Sequence, residues 1–339
     1  EDAPVSLQGI FPVPGLALLV FKGVGRSTLG ALRTASPLAC EVVADALAVD
    51  PSLATSFLYV CGGWGLWGKP PLSTVERLNL STGIWEATTS MPEGRHSAAA
   101  AAVTGSLFIC GGVGGPDLVP LDTVVRLDTT RCVWEPAPSM HGERCDAAAA
   151  TIDGVLYVCG GQSMSSSALS SVERFSPEVG AWEALPDMAE GRASPALAVA
   201  VGLLFAFGGR CEEGSALDSV ECFDGAHASV AWRSEFDPML QRRWGCSASG
   251  VNNRIVVCGG LGGHGREPLA SAEEFDYITG IWNQLPPMPE GRWCAAAVAV
   301  ASRLFICGGV GRGYRTLDSV ECLDLESLNW LGGMPMSMG

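Results

Sequence analysis

Positive charge is scarce in this sequence of 339 residues. It has 21 Lys and Arg residues against 36 Asp and Glu, a formal net charge of −15, and only Lys22 and Lys69 are lysines. Nucleic acids and anionic membranes are bound through basic surfaces, so the composition weighs against both as partners. A hydrophobic share of 47% excludes a disordered acidic tail and is ample for a sizeable core.

The sequence also lacks an apolar run long enough to span a bilayer. Its one extended apolar stretch near the N-terminus, residues 10–21, is interrupted by Pro12 and Pro14 and is preceded by acidic residues. A secretory signal has a basic segment at that place, and a spanning helix needs about 20 apolar residues. We therefore expect neither a signal peptide nor a membrane anchor.

No CxxC motif and no Cys/His cluster with zinc-ligand spacing is present, and histidine and tyrosine number only four each. We therefore expect no metal and no cofactor. The 13 cysteines are an odd number, and five of them recur at one equivalent position, which predicts small buried apolar side chains and no disulfide ladder. These five are Cys61, Cys110, Cys159, Cys258 and Cys307. This usage favours a reducing compartment, the cytoplasm or the nucleus.

The 43 glycines include pairs that recur every 48 to 51 residues. The pairs are Gly62 and Gly63, Gly111 and Gly112, Gly160 and Gly161, Gly208 and Gly209, Gly259 and Gly260, and Gly308 and Gly309. A tryptophan follows each pair, at Trp85, Trp134, Trp182, Trp232, Trp282 and Trp330. An arginine lies 16 residues before five of the pairs, at Arg95, Arg144, Arg192, Arg243 and Arg292. A fixed period of this length indicates a repeat architecture.

Each repeat predicts four short strands. An Ala/Val-rich strand follows the arginine, a second strand ends in the glycine pair, a third contains a Val-Glu-Arg type sequence, and the tryptophan marks the fourth. One sheet of four strands cannot cover its own apolar faces, so the sheets are expected to stack radially around an axis.

These residues resemble the kelch repeat, which combines Gly-Gly, Val-Glu-Arg, Trp and Met-Pro-x-Gly-Arg at this period. The resemblance covers roughly residues 57–339 and implies an all-β fold, a six-bladed β-propeller of four-stranded antiparallel blades. The Gly-His and Trp-Asp dipeptides of WD repeats do not recur. Two departures stand out: Val125 replaces the glutamate of the third strand, and Gln241-Arg242-Arg243 replaces a Gly-Arg pair.

Residues 1–50 fall outside the repeat, and residues 51–339 form the expected propeller. The first 50 residues are expected to be a lead-in that is partly helical or disordered, with helices near residues 27–35 and 39–48. The first repeat lacks a clear initial strand. That strand is expected either from residues 46–54 or from beyond residue 339, and the second alternative, a truncated closing strand, is favoured.

Strand alternation places the second-to-third loops and the fourth-to-first connections at one end of the propeller, which we call the loop face. Ten arginines are assigned to it: Arg95, Arg144, Arg192, Arg210, Arg242, Arg243, Arg266, Arg292, Arg312 and Arg315. All of them except Arg242 form the predicted binding site together with Trp64, Trp67 and Tyr314, because guanidinium groups suit carboxylate and phosphate contacts. Some kelch adaptors bind acidic peptides with arginines at this repeat position, which the resemblance extends to this chain.

A second interpretation of the repeated arginines is structural, since each could pair with a blade glutamate such as Glu76 or Glu173. The tryptophan series and the glycine pairs are expected to be structural as well, in the core and at sharp turns with positive φ.

The sequence thus predicts a non-enzymatic interaction module that binds an acidic or phosphorylated peptide. By analogy with the family, it is expected to be a substrate-recognition subunit of a cullin-type ubiquitin ligase, with an actin- or cytoskeleton-binding scaffold as the alternative. A galactose-oxidase-like enzyme is a further alternative, and His96 with His141 is its only hint of a metal site.

Overall fold

The computed structural model describes residues 17–22, 56–63, 70–80, 82–103, 105–224, 231–251, 254–262, 267–300 and 302–331. Six antiparallel sheets follow one another along the chain, and the strands of each sheet lie in sequence order from the inside to the outside. The predicted propeller is confirmed. The two predicted helices near residues 27–35 and 39–48 lie outside the described residues.

The first three blades have four strands each, in hydrogen-bonded order. Blade 1 consists of Ala17–Lys22, Ser56–Cys61, Val75–Asn79 and Ile84–Thr88; blade 2 of Ala99–Val103, Ser106–Cys110, Val124–Asp128 and Val133–Ala137; and blade 3 of Ala148–Ile152, Val155–Cys159, Val172–Ser176 and Ala181–Leu185. A small extra sheet on the loop face joins Arg95–His96, Val113–Gly114 and Val119–Pro120.

The last three blades repeat this plan with one reduction. Blade 4 consists of Ala196–Ala200, Leu203–Phe207 and Val220–Asp224; blade 5 of Ser247–Val251, Arg254–Cys258, Ala272–Asp276 and Ile281–Leu285; and blade 6 of Ala296–Val300, Arg303–Cys307, Val320–Asp324 and Asn329–Leu331. The fourth strand of blade 4 is reduced to one bridge between Cys222 and Arg233, next to the lengthened loop of this repeat. One 3₁₀ turn, Arg312–Tyr314, lies in the loop of blade 6.

The first strand of blade 1 differs from the expectation. Ala17–Lys22 pairs in antiparallel register with Ser56–Cys61, so this strand comes neither from residues 46–54 nor from beyond residue 339. It lies within the stretch assigned to the lead-in. Its six consecutive residues, Ala-Leu-Leu-Val-Phe-Lys, suit a strand that the repeat pattern does not predict.

Six apolar clusters of the described residues lie between neighbouring blades, one at each junction, because both faces of every sheet are covered. A seventh, small cluster of Leu261, Trp293 and Val310 lies on the loop face. The cluster between blades 6 and 1 joins Leu58 and Leu78 to Phe305 and Val320. The first strands also neighbour one another in a closed circle that runs from blade 6 back to blade 1. The ring of six blades is therefore closed by apolar packing. Within the described residues, no helix is long and apolar enough to cross a membrane.

Candidate functional site

The five repeated arginines are buried, and each ties the connection between two blades to the blade that follows. Arg192 is representative and is completely buried. Its Nη1 donates to the carbonyl oxygens of Gly208 at 2.7 Å and Ser219 at 3.2 Å, and its Nη2 donates to Glu221 Oε1 at 2.9 Å. Removing one partner from such a buried pair typically costs about 3–5 kcal/mol.

The same pattern holds in the other connections. Arg144, Arg243 and Arg292 pair with Glu173, Glu273 and Glu321, and each donates to the carbonyl of the first glycine of a pair. Arg95 makes the glycine contact, to Gly111, but Val125 occupies the strand position of the glutamate. The structure therefore places all five guanidinium groups inside the blades, with exposures of at most 3%. This placement matches the structural interpretation of the arginine repeat, and it does not put these side chains on an open surface.

The paired glycines lie directly against the backbone of these arginines. Gly160 and Gly161 have φ values of 64° and 100°, and a Cβ on Gly160 would lie 2.4 Å from the carbonyl oxygen of Arg192. Only glycine fits such a close backbone approach in the left-handed region.

Four backbone hydrogen bonds form a partial circle around the axis on the loop face. It joins the residues two positions after each repeated arginine: Ser97, Asp146, Ser194, Gly245 and Cys294. Asp146, Ser194, Gly245 and Cys294 each donate their N–H to the carbonyl of the residue before them in this series, at 2.7 to 2.9 Å. All five residues have positive φ. This circle was not foreseen, although the constant offset from the arginine was visible in the sequence.

Beside this circle lies a group of side chains that we call the axial cluster: Asp146, Gln162, Arg210, Trp244 and Trp293. Gln162 donates to Asp146 Oδ2 at 2.7 Å and accepts from Arg210 Nη2 at 3.2 Å. The Arg210 guanidinium lies 5.5 Å from the ring centre of Trp244, which packs edge-on against Trp293. Burial raises the pKa of Asp146 to about 6. The cluster thus combines a half-buried cation, an acid and two aromatic rings at the opening.

Of the axial cluster, only Arg210 was among the predicted site residues. Trp244 and Trp293 each follow a repeated arginine directly, where the other repeats have His96, Cys145 or Ala193. A residue type that changes at a position with a constant backbone role is the signal that would have found them.

The exposed cations of the loop face that fall on described residues lie in blades 4 to 6. Arg312 is 84% exposed and contacts Glu267 at 3.1 Å, and Arg315 is 63% exposed and contacts Glu290 at 2.6 Å. Tyr314 between them is also exposed. Arg242 contacts Asp218 at 3.2 Å. The predicted site residues Trp64, Trp67 and Arg266 lie outside the described residues.

The histidines near the loop face do not form a pair. Burial lowers the pKa of His96 to about 4, and its Nδ1 lies 3.1 Å from Ser97 Oγ. His141 is exposed and contacts Glu173 at 2.8 Å. It borders a polar groove of about 590 Å³ between blades 2 and 3. Among the described residues, no group of three or more His, Cys, Asp or Glu side chains is arranged to hold a metal ion.

Two protein-family models match this chain. The model of the KLHDC2/KLHL20/DRC7 Kelch-repeats domain matches residues 146–335, more than half of the chain, and the Kelch motif matches residues 58–92 and 94–141. The chain belongs to the kelch-repeat family. The two matches together reach every blade but leave out the first strand of blade 1. Kelch repeats generally mediate protein–protein interactions.

One solved structure supports the same kelch propeller fold. The structure of YjhT superposes with a TM-score of 0.70 over 81% of this chain and 93% of that chain, at 16% sequence identity. This likeness shows the fold alone. No curated protein matches the sequence of this kelch-repeat chain.

Proposed function

We propose that this kelch-repeat protein binds a polypeptide partner through the loop face of blades 4 to 6. The observation that carries the proposal is the accessibility of Arg312, Tyr314 and Arg315 in one loop, while the repeated arginines are buried. The loop is set on a rigid, closed ring of sheets, and a variable loop on a repeated scaffold is a usual recognition surface.

Acidic or phosphorylated side chains are the partner chemistry that these residues suit. Arg312 and Arg315 present guanidinium forks that bind carboxylate and phosphate in two-pronged contacts. Their present partners, Glu267 and Glu290, are themselves 66% and 37% exposed. Because exposed ion pairs contribute only about 0–1 kcal/mol, an incoming acidic group can replace them at little cost. Tyr314 adds an exposed ring for stacking.

Arg210 and Trp244 extend this surface towards the axis. Arg210 is half-buried; its Nη2 donates a hydrogen bond to Gln162, and its guanidinium group lies over the ring of Trp244. A partner chain that enters the opening would meet this aromatic and cationic surface after the Arg312–Tyr314 turn. Aromatic and arginine anchors near the centre of an interface usually carry most of its binding energy.

In the cell, the proposed role is substrate recognition for a cullin-type ubiquitin ligase in the cytoplasm or nucleus, and no catalytic activity of the chain itself is proposed. This role rests on analogy with kelch adaptors. An actin-binding scaffold remains the alternative within the same family analogy.

The test is affinity capture followed by peptide mapping with wild-type protein and the Arg312→Glu/Arg315→Glu double variant. The matched control is Arg131→Glu, because Arg131 is equally exposed and lies on the turn between the third and fourth strands, at the opposite end of blade 2. We expect the double variant to lose partners with acidic segments and the control to retain them. Equal capture by all three proteins would refute the proposed surface.

A mapped partner then separates the two cellular roles. Capture of actin by both the wild type and Arg131→Glu favours the scaffold. Retention of a short acidic segment that directs ubiquitination of a fused reporter favours the ligase role.

A further inference from the structure

One of the five buried arginines lacks the carboxylate that its counterparts have. Arg144, Arg192, Arg243 and Arg292 each pair with a glutamate in the third strand of the next blade. In blade 2 the equivalent position, one residue after Val124, is Val125. Because the arginine and the surrounding carbonyl contacts are the same in all five connections, the other four serve as internal references for the fifth.

Arg95 itself is as buried as its counterparts, with 2% exposure. Its Nη1 donates to the carbonyl oxygens of Gly111 at 3.0 Å and Thr123 at 3.1 Å. Its Nη2 reaches only Thr123 Oγ1 at 3.4 Å, and the one ion pair that the described residues give it is to Glu93 at 3.7 Å. Burial lowers the pKa of Arg95, and exposed Glu93 is the carboxylate that opposes this shift. A buried cation without a close counter-ion is costly.

The position of the missing carboxylate is close to the surface. In blade 3, Glu173 Oε2 accepts hydrogen bonds at 2.8 Å from both the backbone N–H and Nδ1 of His141, whose side chain is 59% exposed. The residue in the place of His141 before blade 2 is Pro92, which is exposed and has no N–H. An anion at this position would therefore lie one side chain below the loop face and would be held mainly by Arg95.

We infer that Arg95, at the junction of blades 1 and 2, binds a carboxylate supplied from outside the blade, at the position that a glutamate occupies in the other blades. The source is either a free carboxylate ion or the side chain of a glutamate in a bound polypeptide. Glu93 is the competitor within the chain, since it is exposed and lies at the edge of the same guanidinium group. The inference does not depend on the proposed function, because it concerns a different junction and needs no partner protein.

The test measures the thermal unfolding midpoint of the full chain as formate replaces chloride at constant ionic strength, with wild type, Val125→Glu and Val125→Gln. We expect formate to raise the midpoint of the wild type. Val125→Glu should raise the midpoint without added formate and abolish the response. Val125→Gln introduces an uncharged side chain of the same size as glutamate. It should also abolish the response to formate, but without raising the midpoint. An equal formate response in the wild type and Val125→Glu would overturn the inference, because the ion would then act elsewhere.

A second variant, Glu93→Gln, removes the competitor and leaves position 125 unchanged. We expect it to lower the apparent dissociation constant of formate by about fivefold, as removal of a like charge near the site predicts. An unchanged or weaker response would count against the site even if Val125→Glu did not fold.

The two sources are distinguished with N-acetylglutamate α-methylamide as a second probe. Stabilisation by this probe, lost in Val125→Glu, assigns the site to a glutamate side chain; stabilisation by formate alone assigns it to a small ion. Because neither probe involves Arg312 or Arg315, failure here leaves the proposed partner surface untouched.

Discussion

Asp146 is an acidic residue of the loop face whose pKa is shifted by burial. It lies in the backbone circle, accepts a hydrogen bond from Gln162 at 2.7 Å, and has its pKa raised by burial from 3.8 to about 6. Because the folded protein disfavours the ionised form, this side chain's contribution to stability is complete below pH 3.8 and is lost as the pH rises through 6.

Asp146→Asn removes this titration while retaining an acceptor for Gln162. Between pH 4 and 7 we therefore expect the free energy of unfolding of the wild type to fall relative to the variant by about 2 kcal/mol. Urea unfolding at a series of pH values measures the difference. Asp128→Asn is the control, because N–H donors lower the pKa of Asp128 and its own difference should stay constant over this range. If the free energies of unfolding of the wild type and Asp146→Asn differ by the same amount at every pH, the raised pKa of Asp146 is contradicted.

The arginine repeat shows which part of a site a sequence can reveal. The spacing of Arg192 from the glycine pair was visible, and so was the exception at Val125. The burial of Arg192 could not be predicted, because the same spacing is compatible with an arginine that faces the opening and with one that turns into the next blade. The orientation of the side chain depends on Glu221 and on the carbonyls of Gly208 and Ser219, which only the folded chain brings together. Both interpretations were available from the sequence, and the burial of the five side chains is consistent with the structural one.

The fourth strands carry a hydrogen bond between blades that recurs like the tryptophan itself. Trp182 Nε1 donates to the carbonyl oxygen of Pro138 at 2.8 Å, and Trp134, Trp232, Trp282 and Trp330 make the equivalent contact to the preceding blade. Among the described residues, the Nε1 of Trp85 has no acceptor. The indole therefore fixes the spacing of neighbouring blades as well as filling the core.

Trp182→Phe should remove this bond, at a cost of about 0.5–1.5 kcal/mol beyond that of the smaller ring. Trp85→Phe is the matched control, and we expect it to cost less because no such bond is broken within the described part of blade 1. Urea unfolding of the two variants measures the difference. Equal losses would mean that packing of the ring accounts for the whole effect.

The strands were predicted well because their apolar runs end at fixed landmarks. Leu203–Phe207 and its equivalents stop at the glycine pair, where positive φ ends the strand. Ala17–Lys22 was missed because it has no arginine before it and is separated from its partner Ser56–Cys61 by a long connection. A strand outside the repeat has only its β-prone composition as a signal, and such a signal is weak over six residues.

Closure of the whole ring joins these local contacts into one cooperative structure. The first strand of blade 1 neighbours the first strands of blades 2 and 6, and the apolar cluster of Leu58, Leu78, Phe305 and Val320 fills the same junction. Each blade depends on both neighbours to cover its faces. Opening the ring at one junction therefore exposes two apolar sheet faces.

Two deletions that differ by one strand test this arrangement. Removal of residues 1–22 takes away Ala17–Lys22 and unpairs the edge of Ser56–Cys61, whereas removal of residues 1–16 retains the strand. We expect the longer deletion to melt about 5 °C or more below the shorter one and to self-associate in light scattering, since a bare edge strand recruits other chains. Identical melting and mass for the two proteins would show that another segment supplies the inner strand of blade 1. In that case residues 46–54 would be the next segment to delete, because they directly precede Ser56–Cys61 in the chain.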